Sequence, residues 1–453
     1  MTTSKRATQA LLSSAAIVSV LAVVTNSATA QGATADQPHP LAGGVYYVAP
    51  GGSDSATGTK DAPWASFAHA QAVAQPGDTV YFRGGTYNYT HANASCASQT
   101  ARVDAVTLNK SGTSGSPIRY WAYPGEKPVL DFSGITDDCR IKGLDVTGSW
   151  IHLKGLEISG VPQNNTLNHE SWGVWNSGSN NTYERLDIHD IAGPGLFLQD
   201  GGGNLVLNTD SHDNYDAKSS SGAGTNADGF GAHIPADNPG NVFRGDRAWN
   251  NSDDGFDLIS ARSSVTIESS WAWSSGYVPG TSTRAGDGNG FKAGGYGGEY
   301  VDYGVKHTVR QSVAFNNEAA GFYANHHTVA SDFFNNTGYK NHPDFNMLGV
   351  SPTGEAIGLG TLRNNIAYGG TLTSNMTGTD SSHNTWDLGT PLSDGQFQST
   401  STTGWDASRQ SDGSLPSLPN LRPATTGDLI DQGTDVGLSY KGDAPDLGAF
   451  EVG

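Results

Sequence analysis

The feature that most constrains the fold of this chain is a Gly-Phe or Gly-Leu pair that recurs through its middle. The pairs are Gly195-Leu196, Gly229-Phe230, Gly255-Phe256, Gly290-Phe291 and Gly321-Phe322. Their spacing is irregular, as expected if each repeat is one coil followed by a loop of variable length. Such repetition is typical of a solenoid, in which a single coil cannot bury its apolar face and is covered by its neighbours.

Asparagines form a second recurring feature, at Asn214, Asn250-Asn251, Asn316-Asn317 and Asn335-Asn336. Asparagine tolerates the left-handed backbone of a sharp corner. A short strand, an Asn corner, another short strand and a return loop make one rung of a parallel β-helix. We therefore predict an all-β, right-handed parallel β-helix with an inward ladder formed by Phe230, Phe256, Phe291 and Phe322. The residue after each Phe then faces outward.

The composition favours one long body over several domains, because 60 Gly and only 36% hydrophobic residues suit short strands and tight turns. We predict a single catalytic β-helix domain over 31–453, with an N-terminal cap at about 44–90, rungs at about 128–370 and a tail at about 371–453. Asp446–Phe450 would be the last strand. A short capping helix with Phe67, Ala70, Val73 and Ala74 on one side would end at Pro76-Gly77 and cover the open end.

The N-terminus predicts export from the cell. Lys5 and Arg6 precede an apolar run at 10–24, and Ala28-Thr29-Ala30 follows it, which is the pattern of a secretory signal peptide over 1–30. A lone N-terminal membrane or lipid anchor is the alternative. We expect a secreted, extracellular monomer that is free of the membrane, in which Cys96 and Cys139 could form a disulfide.

The net charge of −19 makes nucleic acid an unsuitable partner, because no basic stripe is present to neutralise phosphates. The same charge opposes binding of a polyanionic substrate. A bound divalent cation would resolve that conflict locally.

Aligning the central rungs on their Gly-Phe pairs brings carboxylates together. Asp228 and Asp254 fall in one column, Asp253 and Asp257 flank it, and Lys292 lies one rung beyond Asp257. Crowded carboxylates repel one another unless a cation compensates. Ca²⁺ is the predicted cation because it prefers six to eight hard oxygen ligands, whereas zinc would call for His or Cys. Turn-capping aspartates are the simpler alternative.

Lys292 is the candidate base of this site. A lysine beside acids is usually an ion-pair partner. A neighbouring Ca²⁺ would lower its pKa and leave more neutral amine, which could take the C5 proton from a uronic acid whose carboxylate is held on the cation.

These motifs resemble polysaccharide lyase family 9, the β-helical lyases that use a lysine base. The resemblance rests on Asp228, on residues 252–257 and on residues 286–292, and it extends to the Tyr47–Pro50 and Pro445–Phe450 segments. It implies that Asp228, Asp253, Asp254 and Asp257 bind calcium, that Lys292 is the Brønsted base, and that the substrate is an acidic polysaccharide with a pectate or rhamnogalacturonan backbone.

Further contacts with the substrate are predicted from position along the rungs. Asn289, Tyr323 and His326 could face the groove, and Trp271, Trp273 and Tyr277 could stack on sugar rings or pack between rungs.

Two other functions fit parts of the sequence. A polygalacturonase would pair Asn208-Thr209-Asp210 with Asp253-Asp254 and would need no calcium, but the spacing is nearer two rungs than one. A non-catalytic carbohydrate-binding β-helix would use the calcium for structure alone.

Overall fold

The computed structural model describes residues 43–92, 94, 96, 101–163, 169–296 and 304–452. The predicted signal peptide at 1–30 lies outside these residues. Residues 41–453 form one compact unit. No helix within the described ranges is long and apolar enough to cross a membrane.

Short strands make up most of the regular structure. The helices are α1 (Phe67–Val73) and α2 (Thr385–Leu388), with one 3₁₀ turn at Asp394–Gln396. In chain order, the strands β1 to β34 of the described residues are Val45–Val48, Thr79–Phe82, Gly85–Asn88, Arg102–Leu108, Ile118–Ala122, Pro128–Asp131, Arg140–Val146, Ile151–Lys154, Glu157–Ser159, Trp172–Asn176, Thr182–Glu184, Asp187–His189, Leu196–Leu198, Leu205–Leu207, Asp210–His212, Phe230–Ala232, Asn241–Arg244, Arg247–Trp249, Phe256–Asp257, Val265–Glu268, Trp271–Trp273, Phe291–Lys292, Thr308–Arg310, Val313–Phe315, Phe322–Tyr323, Asp332–Phe334, Thr337–Tyr339, Phe345–Asn346, Leu348–Val350, Ala356–Gly358, Thr361–Arg363, Ile366–Tyr368, Thr373–Ser374 and Asp380–Ser382.

Three parallel sheets form the walls of the solenoid, and each of the ten complete coils from β2 to β33 contributes one strand to each sheet. Sheet 1 has twelve strands and runs from β1 to β34, sheet 2 has ten and runs from β3 to β32, and sheet 3 has ten and runs from β4 to β33. Only β29 and β30 pair in antiparallel fashion among the described strands. The predicted all-β parallel β-helix is confirmed.

The phenylalanine ladder lies inside the solenoid as predicted. Successive rings of Phe230, Phe256, Phe291 and Phe322 are stacked with centroids 4.9, 4.9 and 5.0 Å apart. Phe345 extends the ladder by one rung, with its ring 4.7 Å from that of Phe322. All five side chains are buried, so the ladder fixes which residues of sheet 3 face outward.

The predicted asparagine column is in fact two columns. Asn250 and Asn316 have left-handed backbones at the corner after sheet 2, whereas Asn335 has one at the corner after sheet 1. At each corner the next residue is buried and forms an amide ladder, as Asn214 Nδ2 does with Asn251 and Asn336 Nδ2 with Asn365. Both corners require the same left-handed step and a buried amide, so the sequence pattern could not separate them.

The N-terminal helix α1 is present, with Ser66 Oγ accepting a hydrogen bond from His69 N–H at its start. Phe67, Ala70 and Ala74 are buried, but Val73 is 37% exposed, so its predicted place on the inner face is wrong. Positions i, i+3 and i+7 share one side of a helix, and Val73 falls off that stripe.

The parallel pairing extends beyond the predicted range of 128–370. It begins where β1 pairs with β2 and ends where β31 pairs with β34, at Asp380–Ser382. The first coils were missed because they lack the Gly-Phe pair. Cys96 and Cys139 form a disulfide near this N-terminal end.

The predicted last strand at Asp446–Phe450 is wrong, because this segment has no regular secondary structure. Its N–H groups do not form a ladder: Gly448, with φ +87°, donates to the Asn364 carbonyl, and Ala449 donates to Thr337 Oγ1. The tail instead lies against sheet 2, where Trp405 packs against Trp271 with ring centroids 4.5 Å apart.

The ring of Phe243, on β17 in sheet 1, lies edge-on to Phe230 and Phe256 and is fully buried. We expect Phe243→Ala to lower the free energy of unfolding by about 3–5 kcal/mol, because it removes apolar contacts and leaves a cavity. Denaturant unfolding measures the loss. The control is Leu372→Ala, at a side chain that is 40% exposed, which should change the free energy of unfolding by less than about 1 kcal/mol. Equal losses in the two variants would contradict the stabilising contact of Phe243 with the phenylalanine ladder.

Candidate functional site

The outer face of sheet 3 carries a column of functional side chains. Because Phe256 pairs with Phe291, the next residues Asp257 and Lys292 are also cross-strand partners. Tyr323 continues the column beyond Lys292, and Gly231 precedes Asp257. The register of the buried ladder therefore places Asp257 and Lys292 side by side on the outer face of sheet 3.

The remaining carboxylates come from the turns that lead into sheet 3. Asp254 lies directly over Asp228, and its N–H donates to Asp228 Oδ1 at 3.1 Å. Asp253 precedes it in a bend, which allows neighbouring side chains to reach the same side instead of alternating as in a strand. Asp253 and Asp254 can therefore both present carboxylates to one site.

Carboxylate oxygens from five aspartates converge here. Those of Asp228, Asp254 and Asp257 lie within 4.8 Å of one another, as do those of Asp253, Asp254 and Asp287. Asp254 belongs to both groups and is fully buried. We call these five residues the acidic cluster.

Lys292 is the cation that faces the acidic cluster. Its Nζ lies 3.0 Å from Asp254 Oδ2, 3.2 Å from Asp257 Oδ2 and 3.2 Å from Asp287 Oδ2. The side chain is only 6% exposed. Its amine is thus fixed at the boundary between the cluster and the groove.

Burial and mutual repulsion disturb the ionisation of the cluster. Burial raises the pKa of Asp228 and Asp253 well above the ordinary value, and neighbouring aspartates raise both further. Burial raises the pKa of Asp254 to about 6 even though Lys292 lowers it. Burial lowers the pKa of Lys292, but the carboxylates led by Asp254 outweigh that effect and hold it well above its ordinary value. One ammonium is therefore too little positive charge for this cluster.

The donor atoms of the cluster suit a hard divalent cation. All are carboxylate oxygens, which Ca²⁺ prefers, and irregular geometry of this kind is tolerated by Ca²⁺ better than by Mg²⁺. No His or Cys contributes to either group of carboxylates, which argues against zinc. The four predicted ligands Asp228, Asp253, Asp254 and Asp257 are brought together.

Sequence reasoning did not assign a role to Asp287. Its carboxylate completes the second group, and its N–H donates to Asp253 Oδ1 at 2.6 Å. When the rungs are aligned on the Gly-Phe pair, Asp287 falls opposite Ser252 and Asn226, which are not acidic, so the alignment did not group it with the other carboxylates.

Contrary to the prediction, Asn289 does not face the groove. It is buried, its Nδ2 donates to Asp254 Oδ1 at 2.8 Å, and its Oδ1 accepts from Ala320 N–H. It continues the column of Asp228 and Asp254 and supports Asp254 from behind. Both functional ends of its amide are thereby occupied within the protein.

Tyr323 and His326 lie on the next coil, with Tyr323 Oη 3.2 Å from His326 Nδ1. Tyr323 is partly buried and is the strand partner of Lys292. Neither side chain lines the cavity that Lys292 lines, and their contact with the substrate stays a prediction.

The three aromatic residues that could have stacked on sugar rings do not line the groove of sheet 3. Trp271 and Trp273 lie on β21 in sheet 2, where they are buried with Phe315 and Trp405. Tyr277 lines a separate cavity with Val278 and Pro279. Trp273 stacks on Trp249 and Phe315 of the neighbouring rungs, as the packing alternative predicted, and Trp271 packs against Trp405 of the C-terminal tail.

Asp210 and Asp253 do not form the carboxylate pair that a polygalacturonase would need. Asp210 lies on β15 in sheet 2, and Arg247 and Arg409 hold its carboxylate at 2.6 and 2.5 Å. The acidic cluster borders sheet 3. The two predicted halves of a hydrolase site are therefore on different walls of the solenoid.

A groove runs from the acidic cluster along sheet 3 toward the N-terminal coils. It encloses a cavity of about 360 Å³ whose lining includes Asp228, Asp257 and Lys292 at one end. At the other end it is lined by Arg102, Arg140, Trp172, Trp175 and Phe197. Sequence reasoning missed this second end.

Comparison with known proteins finds a matching family model and similar pectate lyases. Residues 46–365 match the family model described as Pel9A-like, right handed beta helix region. Pectate lyase L of Dickeya chrysanthemi is 37% identical over 413 residues, covering 90% of this chain and 90% of that protein. Pectate lyase PEL9 of Emericella nidulans is 33% identical, covering 88% of this chain and 96% of that protein.

Two solved structures share the fold over most of the chain. The crystal structure of pectate lyase Pel9A superposes with a TM-score of 0.76 at 35% identity, covering 90% of this chain and 96% of that one. A rhamnogalacturonan lyase gives a TM-score of 0.78 at 34% identity, covering 84% and 97%.

Calcium should change how stability depends on pH. Carboxyl groups whose pKa is raised by folding stabilise the protein below the unfolded pKa of about 4, and that stability is lost as the pH rises through the folded pKa. Because the pKa of Asp254 is raised to about 6, calcium-free protein should lose thermal stability as the pH rises from about 4 through about 6, and the raised pKa values of Asp228 and Asp253 act in the same direction. Added Ca²⁺ should raise Tm by several degrees at pH 7 and have little effect at pH 4, as measured by calorimetry.

Asp254→Asn and Asp344→Asn make a matched pair for this measurement. Burial raises the pKa of Asp344 to about 7, so both carboxyls contribute to the pH dependence, but Asp344 is not part of the acidic cluster. We expect Asp254→Asn to remove most of the calcium response and Asp344→Asn to retain it. An undiminished response in Asp254→Asn would show that calcium binds elsewhere.

Proposed function

Because the chain belongs to the Pel9A-like right-handed β-helix family, we propose that it is a secreted, calcium-dependent pectate lyase that uses Lys292 as its base. The chain is a polysaccharide lyase of the pectate lyase type, as its curated relatives and the Pel9A match indicate. The observation that carries the finer proposal is the position of Lys292 Nζ, within 3.2 Å of three carboxylates at the floor of an open groove.

The base must be neutral when it acts, and the environment of Lys292 sets that condition. The carboxylates alone hold the pKa of Lys292 well above its ordinary value. Calcium bound by Asp228, Asp253, Asp254 and Asp257 would supply the positive charge that offsets these carboxylates and would attract the carboxylate of a uronate. Lys292 then belongs to the same electrostatic system as the metal ligands.

The proposed reaction is β-elimination across a 4-linked galacturonate. Lys292 Nζ takes the proton from C5, the electron pair forms a C4=C5 double bond, and the C4–O bond breaks. The departing oxygen takes a proton from water, Lys292 gives its proton to the resulting hydroxide, and the new non-reducing end is unsaturated. Asp257 and Asp254 hold the amine toward the groove through their contacts of 3.2 and 3.0 Å.

Secretion is supported by the N-terminal sequence and by the disulfide. Lys5, Arg6 and the apolar run at 10–24 have the pattern of a signal peptide. The Cys96–Cys139 bond is of a kind that persists in oxidising compartments outside the cytosol.

Lys292→Ala should lower kcat for polygalacturonate by at least about 10²- to 10⁴-fold, the contribution of a positioned base. Lys292→Arg tests the role directly, because the guanidinium keeps the positive charge beside the aspartates but stays protonated at the pH of the assay. We expect it to fold and to be equally inactive. The assay is the ultraviolet absorbance of the unsaturated product.

Lys154→Ala is the control, since Lys154 pairs with Glu184 on the outer face of sheet 1. Its activity should match that of the wild type. An active Lys292→Arg variant would mean that Lys292 is only an ion-pair partner.

Chelation should abolish activity, and Ca²⁺ should restore it. Without the cation, the substrate carboxylate is repelled by the acidic cluster and Lys292 stays protonated. Activity of extensively chelated enzyme, followed by titration with Ca²⁺ and with Mg²⁺, measures this requirement. Full activity in the absence of divalent cations would refute the calcium dependence.

Rhamnogalacturonan is a second candidate backbone, because the similar solved structure with a TM-score of 0.78 is a rhamnogalacturonan lyase. Assaying polygalacturonate and rhamnogalacturonan side by side separates the two. We expect the higher kcat/KM on polygalacturonate, and a preference for rhamnogalacturonan would assign the chain to that substrate. A chain with no activity on either would support the non-catalytic carbohydrate-binding alternative.

A further inference from the structure

Cationic side chains are scarce in this chain, with 25 Lys and Arg against 44 Asp and Glu. Three of them nevertheless gather at the end of the groove remote from Lys292. Arg102 lies on β4, and Arg140 and Lys142 lie on β7. Such local concentration in an acidic protein calls for a physical explanation.

Two buried indole rings hold these cations in place. The guanidinium of Arg102 lies 4.5 Å from the ring centroid of Trp175 and 5.1 Å from that of Trp172. Arg140 lies 4.1 Å from the Trp172 ring, and Lys142 lies 4.8 Å from the Trp175 ring. An aromatic face attracts a cation and orients it without using its N–H groups.

The tryptophans themselves are not available to a sugar. Trp172 is 3% and Trp175 is 7% exposed. Their rings meet edge to face at 4.6 Å, and Trp175 also stacks on Phe197 at 5.3 Å. The rings therefore act as a rigid base for the cations, and any ligand in this part of the groove would meet the cations first.

The three cations differ in whether a nearby carboxylate forms an ion pair with them. Arg140 is in an ion pair with Glu170, and Lys142 Nζ lies 2.7 Å from Asp145 and 3.5 Å from Asp104. Arg102 is exposed and makes no ion pair or hydrogen bond with any residue that the structure describes. It is an exposed guanidinium that lies over two rings and whose N–H donors have no partner among the described residues.

We propose that Arg102 forms a remote subsite that binds a uronate carboxylate of the polysaccharide chain. A planar guanidinium matches a carboxylate in bidentate geometry. The strand order from Lys292 on β22 to Trp175 on β10 passes through β19, β16 and β13. Four strand steps of about 4.8 Å separate the strand of Trp175 from that of the base by roughly 19 Å along the sheet.

The consequence is selectivity for long acidic chains, and this inference rests on the proposed function. A sugar chain must extend along the groove of sheet 3 to contact Lys292 and Arg102 together. Short oligomers that occupy the acidic cluster do not reach Arg102. The subsite therefore contributes to binding of the polymer without touching the reacting atoms.

The test compares substrates of different length in Arg102→Ala, Arg102→Lys and wild-type enzyme with saturating Ca²⁺. We expect Arg102→Ala to raise KM for polygalacturonate about tenfold, as for loss of one charged hydrogen-bonded contact, with kcat changed less than twofold. KM for the shortest oligogalacturonate that the wild type cleaves should change less than twofold. Arg102→Lys keeps the stem and the charge but loses bidentate contact, so its KM for the polymer should be intermediate.

Arg119→Ala is the matched control. Arg119 also lies over a tryptophan, 5.8 Å from the Trp121 ring, but on sheet 1. We expect its KM values to match those of the wild type, and melting curves of all variants verify folding. Unchanged KM for polygalacturonate in both Arg102 variants overturns the subsite, and so does an equal rise for short and long substrates. A wild type that releases no unsaturated product from either substrate would mean that the proposed function itself has failed.

Discussion

Parallel stacking of the strands in sheet 3 is the constraint on which the rest of the structure depends. Backbone hydrogen bonding fixes the strands about 4.8 Å apart, and the buried rings of Phe230, Phe256 and Phe291 fix their register. A slip of one residue would expose the rings and turn Asp257 and Lys292 into the core. The position of the chemistry is therefore set by an apolar ladder that takes no part in it.

The glycine before each phenylalanine is required by the same stacking. A Cβ on Gly255 would lie 2.6 Å from the carbonyl oxygen of Gly290 and 2.9 Å from Ala272 Cβ. A Cβ on Gly290 would meet the Gly321 oxygen at 2.7 Å. Successive turns approach too closely for any side chain at this position, and this close approach accounts for the Gly-Phe repeat in the sequence.

The sequence predicted features that are local and that repeat from rung to rung, and it did not predict the others. Asp228, Asp254 and Lys292 could be aligned because each sits beside a Gly-Phe pair. Asp287 could not, because the residues that align with it in the two preceding rungs, Ser252 and Asn226, are not acidic. The contact of Arg102 with Trp175 was equally hidden, because it joins residues from coils that lack the repeat. The course of residues 446–450 depends on Asn364 and Thr337, far away in the chain, so local strand propensity was a poor guide.

The distribution of charge along the groove reconciles an acidic protein with an acidic substrate. Net charge acts over a Debye length of only about 8 Å at physiological ionic strength, so a sugar in the groove responds to the nearest side chains more than to the total of −19. Near Arg102, a uronate meets an indole-bound guanidinium that attracts it whether or not calcium is present. Near Asp254, it meets carboxylates and is repelled until a cation is bound. Under the proposed function, holding the polymer and cleaving it therefore depend on separate ends of one groove, and only the cleaving end responds to calcium.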